Sequence, residues 1–200
     1  MAATAARIFT KADELFMRYG IRSITMDEIA NRLGISKKTL YQYVDNKADL
    51  INKVIQQHLS EELTAIKKIQ DEAEDAIHEM ILSARHSTQQ LRELSPTTVY
   101  DLKKYYPASW QLIEDMHHGG VYEVLKLNLE RGIEQGVYRA DINPKIIARF
   151  HVNQMALIVD EAIFPLREYN RQNLMEQFLS YHIHGIASAK GLELYEKHMR

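Results

Sequence analysis

The chain has no cysteine, so disulfides and thiolate metal sites are excluded and a cytoplasmic setting is allowed. Proline and glycine are scarce, 4 and 8 in 200 residues. No run approaches the roughly 18 consecutive apolar residues of a membrane span, and residues 1–20 hold no uninterrupted apolar core of the secretion type. A soluble chain without membrane association is expected. Runs of alternating β-branched residues with hairpin turns are missing as well, which leaves helices. Glycine-rich phosphate loops, a G-x-S-x-G elbow, an HExxH pair and a thiol nucleophile are all absent. Triads assemble from distant positions, so an enzyme remains a reading, but the acids and bases fall at ordinary helix-surface spacing and nothing asks for catalysis or a cofactor.

The nine histidines do not make up for the missing thiolates. His117-His118 and His182-x-His184 cannot present both rings on one helical face, because ligands on one helix need i, i+3 or i, i+4 spacing. His78 and His86 are too far apart to chelate unaided. No metal site is expected, and histidines on the surface or lining a pocket are the simpler reading.

What the chain does have is a stretch, residues 25–47, that reads as two short helices around a tight turn. Thr25-Met26-Asp27-Glu28 fits a capping box, with the Thr25 hydroxyl available to the Glu28 amide and the Glu28 carboxylate reaching back. Met26, Ile29, Ala30 and Leu33 then form one apolar stripe. Gly34 can take the positive φ of a sharp turn, Ile35 enters the core, and Ser36 is a good N-cap. In the second helix Leu40 and Val44 face inward, leaving Lys37, Lys38, Tyr41 and Gln42 outward. Lysine reaches phosphates or guanine, glutamine pairs with adenine, and a helix N-terminus favours phosphate oxygens. Two lysines on a short helix are often only a solvated face; the turn glycine, the cap and the aromatic run Leu40-Tyr41-Gln42-Tyr43 together favour a DNA reader.

Charge is segregated in the same sense. Residues 1–58 carry nine Lys and Arg against six Asp and Glu, 9 − 6 = +3, whereas residues 59–200 carry 16 − 21 = −5, summing to the net −2. A basic head and an acidic body would orient the molecule during encounter with DNA.

Residues 7–54 closely resemble the N-terminal domain of TetR/AcrR-type transcriptional regulators. The resemblance is carried by Ile24-Thr25-Met26-Asp27-Glu28-Ile29-Ala30, Leu33-Gly34-Ile35-Ser36, Thr39-Leu40-Tyr41-Gln42-Tyr43, Asn46-Lys47 and Asp49-Leu50. Val44 stands where phenylalanine is commoner in the family, which implies a smaller core contact. Beyond residue 60 the likeness rests on Asp101-Leu102-Lys103-Lys104-Tyr105-Tyr106-Pro107 and Gly132-Ile133-Glu134-Gln135-Gly136-Val137-Tyr138-Arg139. The resemblance implies that Lys37, Lys38, Tyr41 and Gln42 meet base edges of a palindromic double-stranded operator, while Thr25, Thr39, Tyr43 and Lys47 hold phosphates.

The expected fold is all-α. A three-helix helix-turn-helix head, residues 1–50, is joined by a long helix to a helical effector-binding and dimerisation domain, residues 51–200. The first helix is expected at 4–19 and the long one at 47–70, about 36 Å at 1.5 Å per residue and a rigid link between the two parts. Further helices are expected at 73–91, 96–105, 107–135, 144–164 and 170–190, with Gly119-Gly120 interrupting one and Gly136 and Gly191 as stops. Tyr100, Tyr105, Tyr106, Trp110, Met116 and His117 form an aromatic and thioether cluster. It reads as core packing or as the lining of a cavity, and the family resemblance implies a small-molecule effector there, apolar and aromatic or cationic. Residues 151–164 are apolar on more than one face, covered either within their own domain or by a partner. The resemblance implies a homodimer through Met155, Val159, Ile163, Phe178 and Ile183. The reading is a ligand-released repressor; the alternative is an architectural or adaptor protein whose C-terminal domain binds a protein partner.

Overall fold

The computed structural model describes residues 2–200, and all regular secondary structure among them is helical apart from one isolated bridge. The helices are α1 (Ala2–Tyr19), α2 (Met26–Leu33), α3 (Lys37–Leu40), α4 (Lys47–Glu72), α5 (Ala76–Glu93), α6 (Pro96–Tyr105), α7 (Pro107–Met116), α8 (Tyr122–Glu134), α9 (Pro144–Ile158), α10 (Arg171–Ile186) and α11 (Ala189–Met199). None is long and apolar enough to cross a membrane. The chain divides into two compact units, one extending to Leu63 and including Glu93–Glu114, the other comprising Thr64–Arg92 and Asp115–Arg200.

In the first unit, Ile8, Ala12, Leu15 and Phe16 of α1 meet the stripe of α2, Leu40 of α3, and Leu50, Ile51 and Val54 of α4 in one core. Leu102 of α6 completes it. Three polar contacts fix α6 there: buried Thr98 donates its hydroxyl to Phe16 O at 2.8 Å, Ser95 N donates to Met17 O at 2.6 Å, and the Asp101 carboxylate accepts Arg22 N at 2.9 Å. The Asp101-Leu102 pair of the family resemblance therefore ties this helix to the head.

The second unit is built around Tyr138. Its ring fills the space above Gly132, where a Cβ would lie 2.1 Å from the ring, so only glycine lets α8 pass this close. Its buried hydroxyl lies 3.0 Å from Ala76 O and 2.9 Å from Asn128 Oδ1, while Asn128 Nδ2 donates to the same carbonyl at 3.0 Å. Gln135 Oε1 accepts Ala76 N at 3.1 Å, so the start of α5 is held at both its donor and its acceptor.

Three boundaries differ from the sequence expectation. The glycine interruption is a π-helical turn, His117–Val121, that leads directly into α8, and nothing approaches Gly119 within 4 Å. Helix α9 ends at Ile158 rather than 164, because Asp160 N donates back to Leu157 O and Asp160 Oδ1 accepts Ala162 N, closing a turn. The last helix expected, 170–190, is two. Ser188 N donates to Val137 O and Arg139 N to Ile186 O around the Tyr138 and Ala187 bridge; the Ser188 hydroxyl then caps α11 at Gly191 N. Gly191 is no stop: a Cβ there would lie 2.0 Å from Val137 O, so it is the point at which α11 docks.

Two histidines share the interior of this unit. His151 Nδ1 and His182 Nε2 lie 3.2 Å apart, with Phe178 against both rings. Burial holds both below the ordinary histidine range, His182 at about 4.

Two predictions follow from this unit's interior. Gly132→Ala is expected to destabilise the protein by about 1 to 3 kcal/mol through overpacking, and Tyr138→Phe by about 1 kcal/mol, both measured as urea midpoints. Because the folded state binds fewer protons than an unfolded chain titrating near 6.5, the histidine contribution is complete above pH 6.5 and is lost as pH falls toward 4. Between pH 6.5 and 5, His182 alone accounts for a loss of up to about 2 kcal/mol, and His182→Leu should flatten the profile relative to wild type.

Candidate nucleic-acid interface

The geometry of α2 and α3 follows from local caps. Thr25 Oγ1 accepts Glu28 N at 3.1 Å, but the reciprocal half of the capping box is not made, because Glu28 Oε1 accepts Arg32 Nη2 at 3.3 Å instead. Gly34 takes φ 68°, the left-handed value that lets the chain reverse, and Ile35 N returns to Ala30 O at 3.0 Å. Ser36 Oγ then accepts Thr39 N at 3.0 Å and opens α3.

Helix α3 is four residues long and continues as a tighter turn, with Gln42 N donating to Thr39 O and Tyr43 N to Leu40 O. Lys53 of α4 clamps the end of that turn, donating to Tyr43 O at 2.9 Å and to Asp49 Oδ2 at 2.8 Å. Asp49 in turn accepts Asp45 N, while Asn46 Oδ1 caps Asp49 N, both at 3.0 Å. So short a helix has no stability of its own; Leu40, 0% exposed, holds it to the core.

What α3 leaves outside is a compact polar face. Lys37, Lys38, Tyr41 and Gln42 are all exposed, Tyr41 at 42%. Lys37 Nζ lies 2.9 Å from Asp27, which raises its pKa through the hydrogen bond; an exposed pair of this kind is cheap to exchange for another anion. Thr25 is exposed, Thr39 half-buried, and Tyr43 half-buried against the head core.

Lys47 departs from the expected role. Its ammonium donates to Ile21 O at 2.7 Å and Ile24 O at 2.5 Å, and burial lowers its pKa. It closes the carbonyls of the turn before α2 with two of its three N–H donors.

The aromatic cluster is also distributed differently. Tyr100 and Tyr105 are exposed on α6 among cations: Arg22 stands 4.4 Å over Tyr105 and Lys104 stands 5.0 Å over Tyr100. Tyr106 and Trp110 pack against the head core, with Lys103 4.9 Å over the indole. Met116 and His117 belong to the second unit. Of the residues expected at a dimer face, Ile183 is fully buried in its own unit's core and is excluded from that face. Met155, Val159 and Phe178 are half-buried and Ile163 is exposed. Reading by type alone missed Ile146, Phe150 and Leu157, exposed at 51%, 61% and 43% along one side of α9, and Tyr181 on α10 at 72%.

Residues 8–54, which hold all of these caps and the exposed face of α3, match the family described as "Bacterial regulatory proteins, tetR family". By this match the head is that of a TetR-type transcriptional regulator. Among curated relatives, the uncharacterized HTH-type transcriptional regulator YvaF of Bacillus subtilis is 24% identical over 187 residues, 91% of this chain and 95% of that protein. The HTH-type transcriptional regulator SAB2452 of Staphylococcus aureus is 41% identical over 66 residues, 33% of this chain and 36% of its own length. A putative transcriptional regulator from Saccharomonospora viridis, solved in complex with choline, superposes with a TM-score of 0.78 at 18% identity, covering 94% of this chain and 100% of that one. The protein is a DNA-binding regulator of transcription.

The head's dependence on two side chains is measurable. Leu40→Ala is expected to cost about 2 to 5 kcal/mol, and Lys47→Met, which keeps the stem but orphans two carbonyls, about 1 to 3 kcal/mol in thermal or urea unfolding.

Proposed function

We propose that this regulator is a cytoplasmic repressor that binds a palindromic operator as a homodimer and is released by a small, largely apolar effector. The observation that carries the reading is the exposed face of α3, where four side chains able to read bases surround a helix anchored to the core by Leu40. In this reading Lys37, Lys38, Tyr41 and Gln42 meet base edges, and Thr25, Thr39 and Tyr43 hold phosphates. Lys47 serves the turn that presents them. Residues 1–50 bind DNA, and residues 51–200 take the effector and the second subunit.

A dimer is supported by the apolar side of α9: Ile146, Phe150 and Leu157 recur at spacings of four and seven and face solvent in the single chain, with Ile163 further along. Two-fold symmetry places two recognition helices on half-sites about 34 to 36 Å apart or a multiple of that. An aromatic-cationic effector is supported by the tyrosines and Trp110 of α6 and α7, and by the choline in the Saccharomonospora viridis structure, since aromatic faces attract quaternary ammonium groups. Lowering operator affinity hundredfold requires about 2.7 kcal/mol of preference for the released state.

Selection of DNA from a random pool tests this directly, and an inverted repeat is the expected outcome. Gln42→Ala should then relax preference at one base pair by about 1 to 3 kcal/mol, whereas Tyr43→Phe should weaken all sequences alike. Phe150→Glu should give monomers in sedimentation with a loss of tight operator binding. An asymmetric site, or a dimer untouched by that charge, refutes the symmetric reading; a complex that no small apolar compound dissolves moves it to an adaptor whose C-terminal part binds a protein.

A further inference from the structure

We propose that Glu74, His78 and His198 form a binding site for a divalent transition-metal ion of the zinc type. This inference does not rest on the DNA-binding reading. The three residues lie 124 positions apart at the extremes, and their ligand atoms all stand within 4.8 Å of one another. Glu74 and Asp75 precede α5, His78 lies in its first turn, and the last turn of α11 brings His198 alongside. Both imidazoles are half-buried and stacked, with centroids 4.4 Å apart and planes within 7°.

The surroundings are those of a metal site rather than of a histidine pair alone. Asp75 Oδ2 lies 3.0 Å from His198 Nε2; a carboxylate on one ring nitrogen fixes the tautomer and orientation of a ligating histidine and leaves the other nitrogen for the ion. Glu74 N donates to His78 Nδ1 at 3.2 Å, a bond that an ion taking that nitrogen replaces. Two carboxylates beside the two imidazoles also supply the negative charge that makes a dication welcome. Of the cations nearby, Lys197 is 3.9 Å from Glu74 with both ends exposed, an easily displaced partner, and Arg85 donates to the His198 carbonyl at 3.2 Å. Nitrogen and oxygen donors without sulfur suit zinc, nickel, cobalt or copper rather than calcium or magnesium. Donors around a bound zinc ion stand about 3.3 Å apart, so binding draws the side chains together and turns the two stacked rings out of their parallel arrangement. Three protein ligands leave a fourth position for water.

The competing account is a metal-free clamp, in which Asp75 and His198 simply fasten α11 to the start of α5. Titration of the untagged full-length protein with Co²⁺ and then Zn²⁺, in a non-chelating buffer, separates the two. We expect one equivalent per chain, a visible d–d absorption for Co²⁺ that Zn²⁺ abolishes, and a rise in Tm with Zn²⁺. His78→Ala, His198→Ala and Glu74→Gln should each remove the absorption, and Asp75→Asn should weaken binding about 10- to 100-fold. His118→Ala should change nothing. Glu74 is exposed, so Glu74→Gln leaves the fold intact and keeps the test decisive if a histidine variant misfolds. No saturable Co²⁺ signal, or a signal unaffected by Glu74→Gln and His78→Ala, overturns the proposal. A Tm lowered by Asp75→Asn with no metal dependence in either protein assigns the cluster to the clamp.

Discussion

The burial of Leu40 is the contact on which the reading face depends. A helix of four residues cannot nucleate itself, and its caps, Ser36 before and Lys53 behind, fix direction without supplying a driving force. The driving force comes from a core that α1, α2, α4 and α6 enclose together. Every outward side chain of α3 is thus positioned by an apolar neighbour that a nucleic acid never touches. This explains why so much of the family likeness falls on residues that are inside: Ile24, Met26, Ile29, Ala30, Leu33 and Leu40 are all buried.

The second unit applies the same logic with polar groups. Its centre is a tyrosine hydroxyl shared between a backbone carbonyl and an asparagine, set into a hollow that only glycine leaves open. Burying those groups is tolerable because each has a partner; an isolated one would cost more than the contact returns. The adjacent Gln135 extends the arrangement to the amide of Ala76, so the string from Gly132 to Tyr138 acts as one fitting for the start of α5.

Caps and periodic stripes made most of the helices legible in the sequence, because both signals are local. Thr25, Ser36, Asn46, Asn143 and Asn170 each accept backbone amides where a short polar residue precedes an apolar run. The outward set on α3 was legible for the same reason. What sequence reasoning missed depends on partners far along the chain. Gly191 looks like a stop until Val137 is seen pressed against it, and Ile183 looks like an interface residue until its own core is seen around it. Lys47 looks like a free cation because the carbonyls of Ile21 and Ile24 carry no trace in the residue names. His198 gave no sign of meeting His78, since no spacing rule spans 120 residues.

The bridge at Tyr138 and Ala187 also sets an order in time. Ser188 opens α11 while its amide is received by Val137, and Tyr195 of α11 is part of the second unit's buried core. Contacts that join residues fifty or more positions apart close only after intervening chain has become ordered. The apolar flank that Tyr195 helps cover stays open until residues 189–199 have been made. The final helix is therefore a seal, and a chain stalled just short of it would expose the surface that chaperones and proteases recognise.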